Sequence, residues 1–162
     1  MQSSRRRFLE GSFLLSMVMI TSGNKLFAAV TPLQTLSVVQ KDLFENKMID
    51  QSNAYAYIGF IFRHSRVNAQ NKQFLRNGSK WLHEESVKLY NMVYTDLNTK
   101  QRQEVLKKIS NSSWGDSWIR MVLKFILEAT LGDPIYGINS NEAGWRWLKH
   151  TPGLPRPSKV YL

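Results

Sequence analysis

Three histidines, His64, His83 and His150, are the residues of this chain best suited to bind a metal or to move a proton near neutral pH. They stand far apart. His83 is followed by Glu84 and Glu85, but neighbours at i and i+1 do not share a helix face, so the triplet makes no ligand set. A zinc site needs three or four converging ligands, and no spacing here supplies them. His64 or His150 has the chemistry of an axial haem ligand, but no motif surrounds either one. The chain has no cysteine, which excludes thiolate zinc sites, iron–sulfur ligation, disulfides and covalent haem attachment. Ser113 and Ser117 flank Trp114 with no histidine nearby in sequence, and neither a glycine-rich phosphate loop nor a G-x-S-x-G elbow occurs. The expectation is a chain without catalytic, cofactor or metal residues of its own. Any redox centre must then sit on a partner.

The most specific signal is at the beginning. Ser4-Arg5-Arg6-Arg7-Phe8-Leu9 fits the S-R-R-x-F-L pattern of twin-arginine export signals, with Ser4, Arg5, Arg6, Phe8 and Leu9 as its signature residues. Glu10 stands where a lysine is common. A moderately apolar stretch, Ser12 to Thr21, follows and is too short to span a bilayer as a permanent helix. Residues 1–29 are therefore expected to be an export leader, read by the twin-arginine translocase, that carries the folded chain to the periplasm. Ala28-Ala29 offers a small residue before a cut, but Leu26 and Phe27 fit A-x-A poorly. The leader is either cut near residue 29 or kept as an inner-membrane anchor.

About 130 residues remain, enough for one hydrophobic core. The composition is globular, with 43% apolar and 12% aromatic residues. Net charge is +10, of which Arg5, Arg6, Arg7 and Lys25 against Glu10 leave a surplus of three in the leader. The surplus elsewhere predicts an acidic partner or an anionic surface. Nucleic acid is not expected, because the cations are scattered and form no block beyond the leader.

The elements that follow read as helices. Thr31-Pro32 suits a helix start, and Leu33, Leu36, Val39 or Gln40, and Leu43 keep a period near 3.6. Ala54 to Phe62 is uncharged and ends in Arg63-His64-Ser65-Arg66; it reads as a helix capped by Asn53, its terminal cations suiting the helix dipole. A longer helix runs from about Ala69 to Met92, with Phe74, Leu75, Gly78, Trp81, Leu82 and Leu89 on the apolar face. Asn98-Thr99 caps a polar helix through Ile109. The fifth, Trp114 to Leu131, carries Arg120, Lys124 and Glu128 as one solvated stripe on a core helix. Residues 30–131 are thus expected as a helical domain, with no strand of convincing length. The fold class is all-α, a compact bundle of about five helices with an extended Gly/Pro-rich C-terminal tail.

From residue 132 the periodicity breaks. Gly132-Asp133-Pro134-Ile135-Tyr136-Gly137-Ile138-Asn139 predicts a rigid turn-rich loop. Prolines at 152, 155 and 157 predict an extended tail. Residues 132–162 together form a candidate docking segment. Trp145 and Trp147 either lie at an interface, where aromatics dominate contact energies, or fold back on the helical core.

The chain resembles the gluconate 2-dehydrogenase subunit 3 family, the small gamma subunits of membrane-bound, flavin-dependent gluconate and sugar dehydrogenases. The twin-arginine leader and the motif Gly132-Asp133-Pro134-x-Tyr136-Gly137-x-Asn139, followed by Gly144-Trp145, carry the resemblance. Ile138 stands where members usually have a second glycine. The resemblance implies a non-catalytic subunit of a periplasmic complex, associated with the inner membrane through that complex or through an uncut leader. A large FAD-dependent dehydrogenase subunit would oxidise the sugar or sugar acid, and a multi-haem cytochrome c subunit would take the electrons. This chain would escort the folded flavoprotein across the membrane and stabilise it. Asp133, Pro134, Tyr136, Gly137, Asn139, Gly144, Trp145, Trp147 and Pro152 are the expected partner-binding residues. The alternative is a stand-alone exported helical enzyme or small-molecule-binding protein with a pocket among its helices.

Overall fold

A computed structural model describes residues 30–44, 52–65, 67–156 and 158–159. The export signal expected over residues 1–29, with Ser4, Arg5, Arg6, Phe8 and Leu9, lies outside the described residues. The chain divides between Thr31 and Pro32, and the unit from Pro32 onward holds helices α1 (Pro32–Leu43), α2 (Ser52–Arg63), α3 (Ala69–Tyr90), α4 (Thr99–Ser110), α5 (Ser113–Leu131) and α6 (Ala143–Leu148). No strand occurs among the described residues. The fold is all-α.

Local sequence sets most of the helix ends. Asn68 caps α3 by accepting from the Gln70 N–H at 2.7 Å, and Asn91 closes it in the left-handed conformation at φ 52°. Asn98 and Gln101 form a reciprocal capping box at the start of α4, and the Ser112 hydroxyl caps α5. The second helix begins at Ser52, so Asn53 lies inside its first turn and is not its cap.

α5 is the central element and touches each of the other five helices. Trp118, Val122, Phe125 and Ile126 of α5 meet Leu36 and Val39 from α1, Ile58 and Ile61 from α2, Leu75 and Leu82 from α3, and Val105, Leu106 and Ile109 from α4. Gly78 makes the closest approach. A Cβ there would run into the indole of Trp118, whose Nε1 donates to the Leu75 carbonyl at 3.3 Å. In the charged stripe of α5, Arg120 and Lys124 are exposed and Glu128 is half-buried, and the i,i+4 pairs Asp116–Arg120 at 2.9 Å and Lys124–Glu128 at 3.6 Å form along it.

α3 buries more polarity than its apolar face suggested. Ser79 and Ser86 donate back to the carbonyls of Leu75 and Leu82, which lets them face the core without an unmet hydrogen bond. Leu89, expected on that face, is 41% exposed. His83 is 4% exposed. Its Nδ1 accepts the Tyr94 backbone N–H at 3.1 Å, so the neutral ring carries its proton on Nε2 and donates to Thr35 Oγ1 at 2.7 Å. Burial lowers its pKa to about 4, against a smaller upward pull from Asp96.

The unfolded chain binds this proton near the ordinary value of 6.5, whereas the folded chain resists it until about pH 4. The His83 contribution is therefore complete above pH 6.5 and is lost as pH falls toward 4, by at most about 3 kcal/mol. Urea midpoints of wild type should fall across that window, while His83→Asn should show a flatter pH profile. Parallel profiles would contradict this account of the ring.

Candidate functional site

The end of α5 needs partners. The last carbonyls of a helix have no intrahelical donors, and here they lie against the following loop. The Gly132 N–H reaches the Glu128 carbonyl at 2.9 Å and ends the helix. Asp133 then caps a single 3-10 turn, Pro134–Tyr136, its carboxylate accepting the Ile135 N–H at 3.0 Å while Pro134 supplies a preset φ at the first position. Gly137, at φ +74°, reverses the chain in the left-handed region where a side chain is disfavoured.

Asn139 brings the chain back to α5. It is 3% exposed and left-handed at φ 48°. Its N–H donates to the Ala129 carbonyl at 3.0 Å, its Nδ2 donates to the Gly132 carbonyl at 3.1 Å, and its Oδ1 accepts the Gly144 N–H at 2.8 Å. One side chain thus joins the helix end, the loop and the start of α6. Gly144 packs so tightly on the Thr130 carbonyl that a Cβ would run into it. After a second 3-10 turn, Ser140–Glu142, α6 presents Trp145, which is 8% exposed and donates from Nε1 to the Leu131 carbonyl at 2.6 Å. The loop motif therefore serves as the C-terminal cap of the central helix.

The following chain folds over this cap. The His150 ring meets Trp145 edge-on with centroids 5.6 Å apart, and the Arg156 guanidinium lies 4.7 Å above the Trp145 ring. Arg156 also pairs with Asp133 at 3.2 Å and Glu142 at 2.9 Å, closing a clasp around the tryptophan. Residues 132–162, expected as loop and tail, include two 3-10 turns and the six-residue α6. A helix that short shows no periodicity in sequence.

Among the expected partner-binding residues, the structure distinguishes two sets. Asp133, Asn139, Gly144 and Trp145 are committed to the internal cap, and Trp145 takes the folded-back arrangement of its two alternatives. Pro134 and Gly137 shape the turn, and Pro152 is half-buried. Tyr136 and Trp147 face outward at 40% and 37% exposure. Trp147 meets Phe44 edge-on at 5.8 Å, its neighbour Leu148 is 52% exposed, and Leu154, seven residues on, is 85% exposed. Neither Arg146 nor Lys149 has a carboxylate partner among the described residues.

A cleft of about 360 Å³ lies between α2 and the loop, lined by Tyr57, Phe60, Ile61, His64, Val67, Tyr136 and Ile138. Sequence reasoning did not single out this site, although Tyr57, Phe60, Ile61 and His64 fall on one helical face at i, i+3, i+4 and i+7. The Tyr57 hydroxyl donates to Glu128 at 3.0 Å; burial first, and then that carboxylate, push its pKa up to about 12. Ile138 lies outside the left-handed region, so its backbone does not require glycine, and its side chain packs over Gly132. The three histidines occupy separate places: His64 in the cleft, His83 in the core and His150 on Trp145. Among the described residues no three His, Asp or Glu side chains group as metal ligands, and no helix is long and apolar enough to cross a membrane.

Residues 48–153 match the family described as Gluconate 2-dehydrogenase subunit 3. The chain belongs to the gluconate 2-dehydrogenase subunit 3 family. No curated protein and no solved structure matches it. The family match covers the capping loop, Trp145 and the cleft, while α1 lies before it and Arg156 of the clasp lies after it. The family's name makes its members subunits of a multi-subunit gluconate dehydrogenase.

Proposed function

We propose that this chain is the non-catalytic small subunit of a periplasmic, membrane-associated, flavin-dependent gluconate 2-dehydrogenase-type oxidoreductase. Its twin-arginine leader would export the folded FAD-bearing catalytic subunit, and its helical domain would stabilise the complex that passes electrons to a multi-haem cytochrome c. Family membership over residues 48–153 carries the reading, and Ser4-Arg5-Arg6-Arg7-Phe8-Leu9 supports the export part.

The surface supports a docking role. Trp147 and Leu148 offer exposed apolar area between Arg146 and Lys149 in sequence, the pattern of an apolar interface centre with a charged rim. Asp133, Asn139, Gly144 and Trp145 hold the scaffold behind that surface. The test is to purify the native protein from the periplasm. A large flavoprotein and a c-type cytochrome should elute with it, and the separated small subunit should show neither flavin nor haem absorbance. Elution alone, with a stoichiometric chromophore, would contradict the proposal.

A further inference from the structure

We propose that the cleft between α2 and the Pro134–Ile138 loop receives a large apolar side chain of the catalytic flavoprotein, flanked there by carboxylates. The inference rests on the accessory-subunit reading and specifies where one anchor of that contact sits.

The lining sets the occupant's centre. Tyr57, Phe60, Ile61, Val67, Tyr136 and Ile138 make walls of aromatic and aliphatic surface, and Phe60 and Tyr136 remain 46% and 40% exposed. The Tyr57 hydroxyl is already engaged with Glu128, so the walls offer ring faces more than hydrogen bonds. A volume of about 360 Å³ is at the low end for small-molecule sites and suits one or two inserted side chains better than a whole helix.

Charge sets the occupant's flanks. Arg63 is exposed one turn beyond Phe60, at i+3, and has no carboxylate partner among the described residues. Lys72 reaches this end of α2 by donating to the His64 carbonyl at 2.6 Å, and it too has no carboxylate partner among the described residues. Glu128 pairs with Lys124 at 3.6 Å, and Asp133 and Glu142 share Arg156 at 3.2 and 2.9 Å, which leaves one negative charge against the two cations Arg63 and Lys72. The uncompensated charge at the rim is positive. A desolvated apolar anchor with acidic neighbours is the complement. Tyr136 adds continuity, since it belongs to the loop that leads into α6 and its outward Trp147 and Leu148.

The experiment uses the full chain and the flavoprotein that purifies with it. Phe60→Ala, and separately Arg63→Glu with Lys72→Glu, are titrated against that flavoprotein over a range of salt, with thermal melts confirming folded variants. Phe60→Ala should weaken binding about tenfold or more. The double reversal should weaken it similarly and flatten its salt dependence. Wild-type affinity in both variants would overturn the cleft assignment while leaving the accessory role intact. So would a cleft that takes up oleate, with Phe60→Ala abolishing that uptake and leaving flavoprotein affinity unchanged. A wild-type chain that does not bind the flavoprotein would remove the functional reading and this inference together.

Discussion

Trp145→Ala is expected to destabilise the free subunit by about 3–5 kcal/mol, the range for deleting a large buried aromatic. The ring is 8% exposed, donates to the Leu131 carbonyl at 2.6 Å, and supports both His150 and Arg156. Its loss opens a cavity and leaves a terminal carbonyl of α5 without its donor. The clasp from Arg156 to Asp133 and Glu142 then has nothing to close on. Trp147→Ala should behave differently. That ring is 37% exposed and its described ring contact is one edge-on approach to Phe44 at 5.8 Å, so the free subunit should lose about 1 kcal/mol or less. Its expected effect is on the complex, a loss of about 2 kcal/mol or more in affinity if it sits at the interface centre. Urea unfolding of the free subunit, with affinity for the flavoprotein measured alongside, separates the two. Equal stability losses in both variants would contradict this division of roles.

Asp42→Ala should be nearly as severe, at about 3–5 kcal/mol. The Asp42 carboxylate is 3% exposed and accepts from Arg102 Nε at 2.8 Å and from the Tyr94 hydroxyl at 2.7 Å. Burial, and then this carboxylate, hold the Tyr94 phenol protonated far above its ordinary range. The cluster ties the end of α1 to α4, reinforced by Gln103 donating to the Asp42 carbonyl at 2.8 Å. Removing the carboxylate strands a guanidinium that is only 19% exposed and leaves a buried hydroxyl without an acceptor. Asp42→Asn keeps an acceptor for Tyr94 but loses the charge pairing, so it should cost less than Asp42→Ala. Chemical denaturation of both variants orders them. An Asp42→Ala protein within 1 kcal/mol of wild type would show that the cluster does not hold α1 in place.

These two clusters show how much could be read from the chain. Helices α3 and α5 were legible from the periodicity of their apolar and charged residues, and α4 from its local cap at Asn98, while the caps Asn68 and Ser112 came into view only with the fold. The start of α2 was displaced because Asn53 is a plausible cap whose position inside the helix only tertiary packing decides. On α3, Ser79, His83 and Ser86 look polar in sequence but are buried with their hydrogen bonds met. Asp42, Tyr94 and Arg102 are separated by up to 60 residues, and no local pattern predicts their meeting.

The capping loop was visible as a motif, but its inward and outward sides were not. Trp145 and Trp147 are two residues apart, which on a helix places them on nearly opposite faces. Without α6 in view, the two tryptophans could not be told apart. The cleft was missed because its walls come from α2 and from a loop more than 70 residues later, which only the fold brings together.

The most direct measurement of the central claim is the location of the flavoprotein when the leader is altered. Arg5→Lys with Arg6→Lys in the full chain removes the arginine pair of the proposed export signal and leaves the residues from Pro32 onward untouched. Cells making this variant should retain both the small subunit and the flavoprotein in the cytoplasm, still bound to one another, while wild-type cells carry both to the periplasm. A flavoprotein that reaches the periplasm in full beside the altered leader would contradict the account.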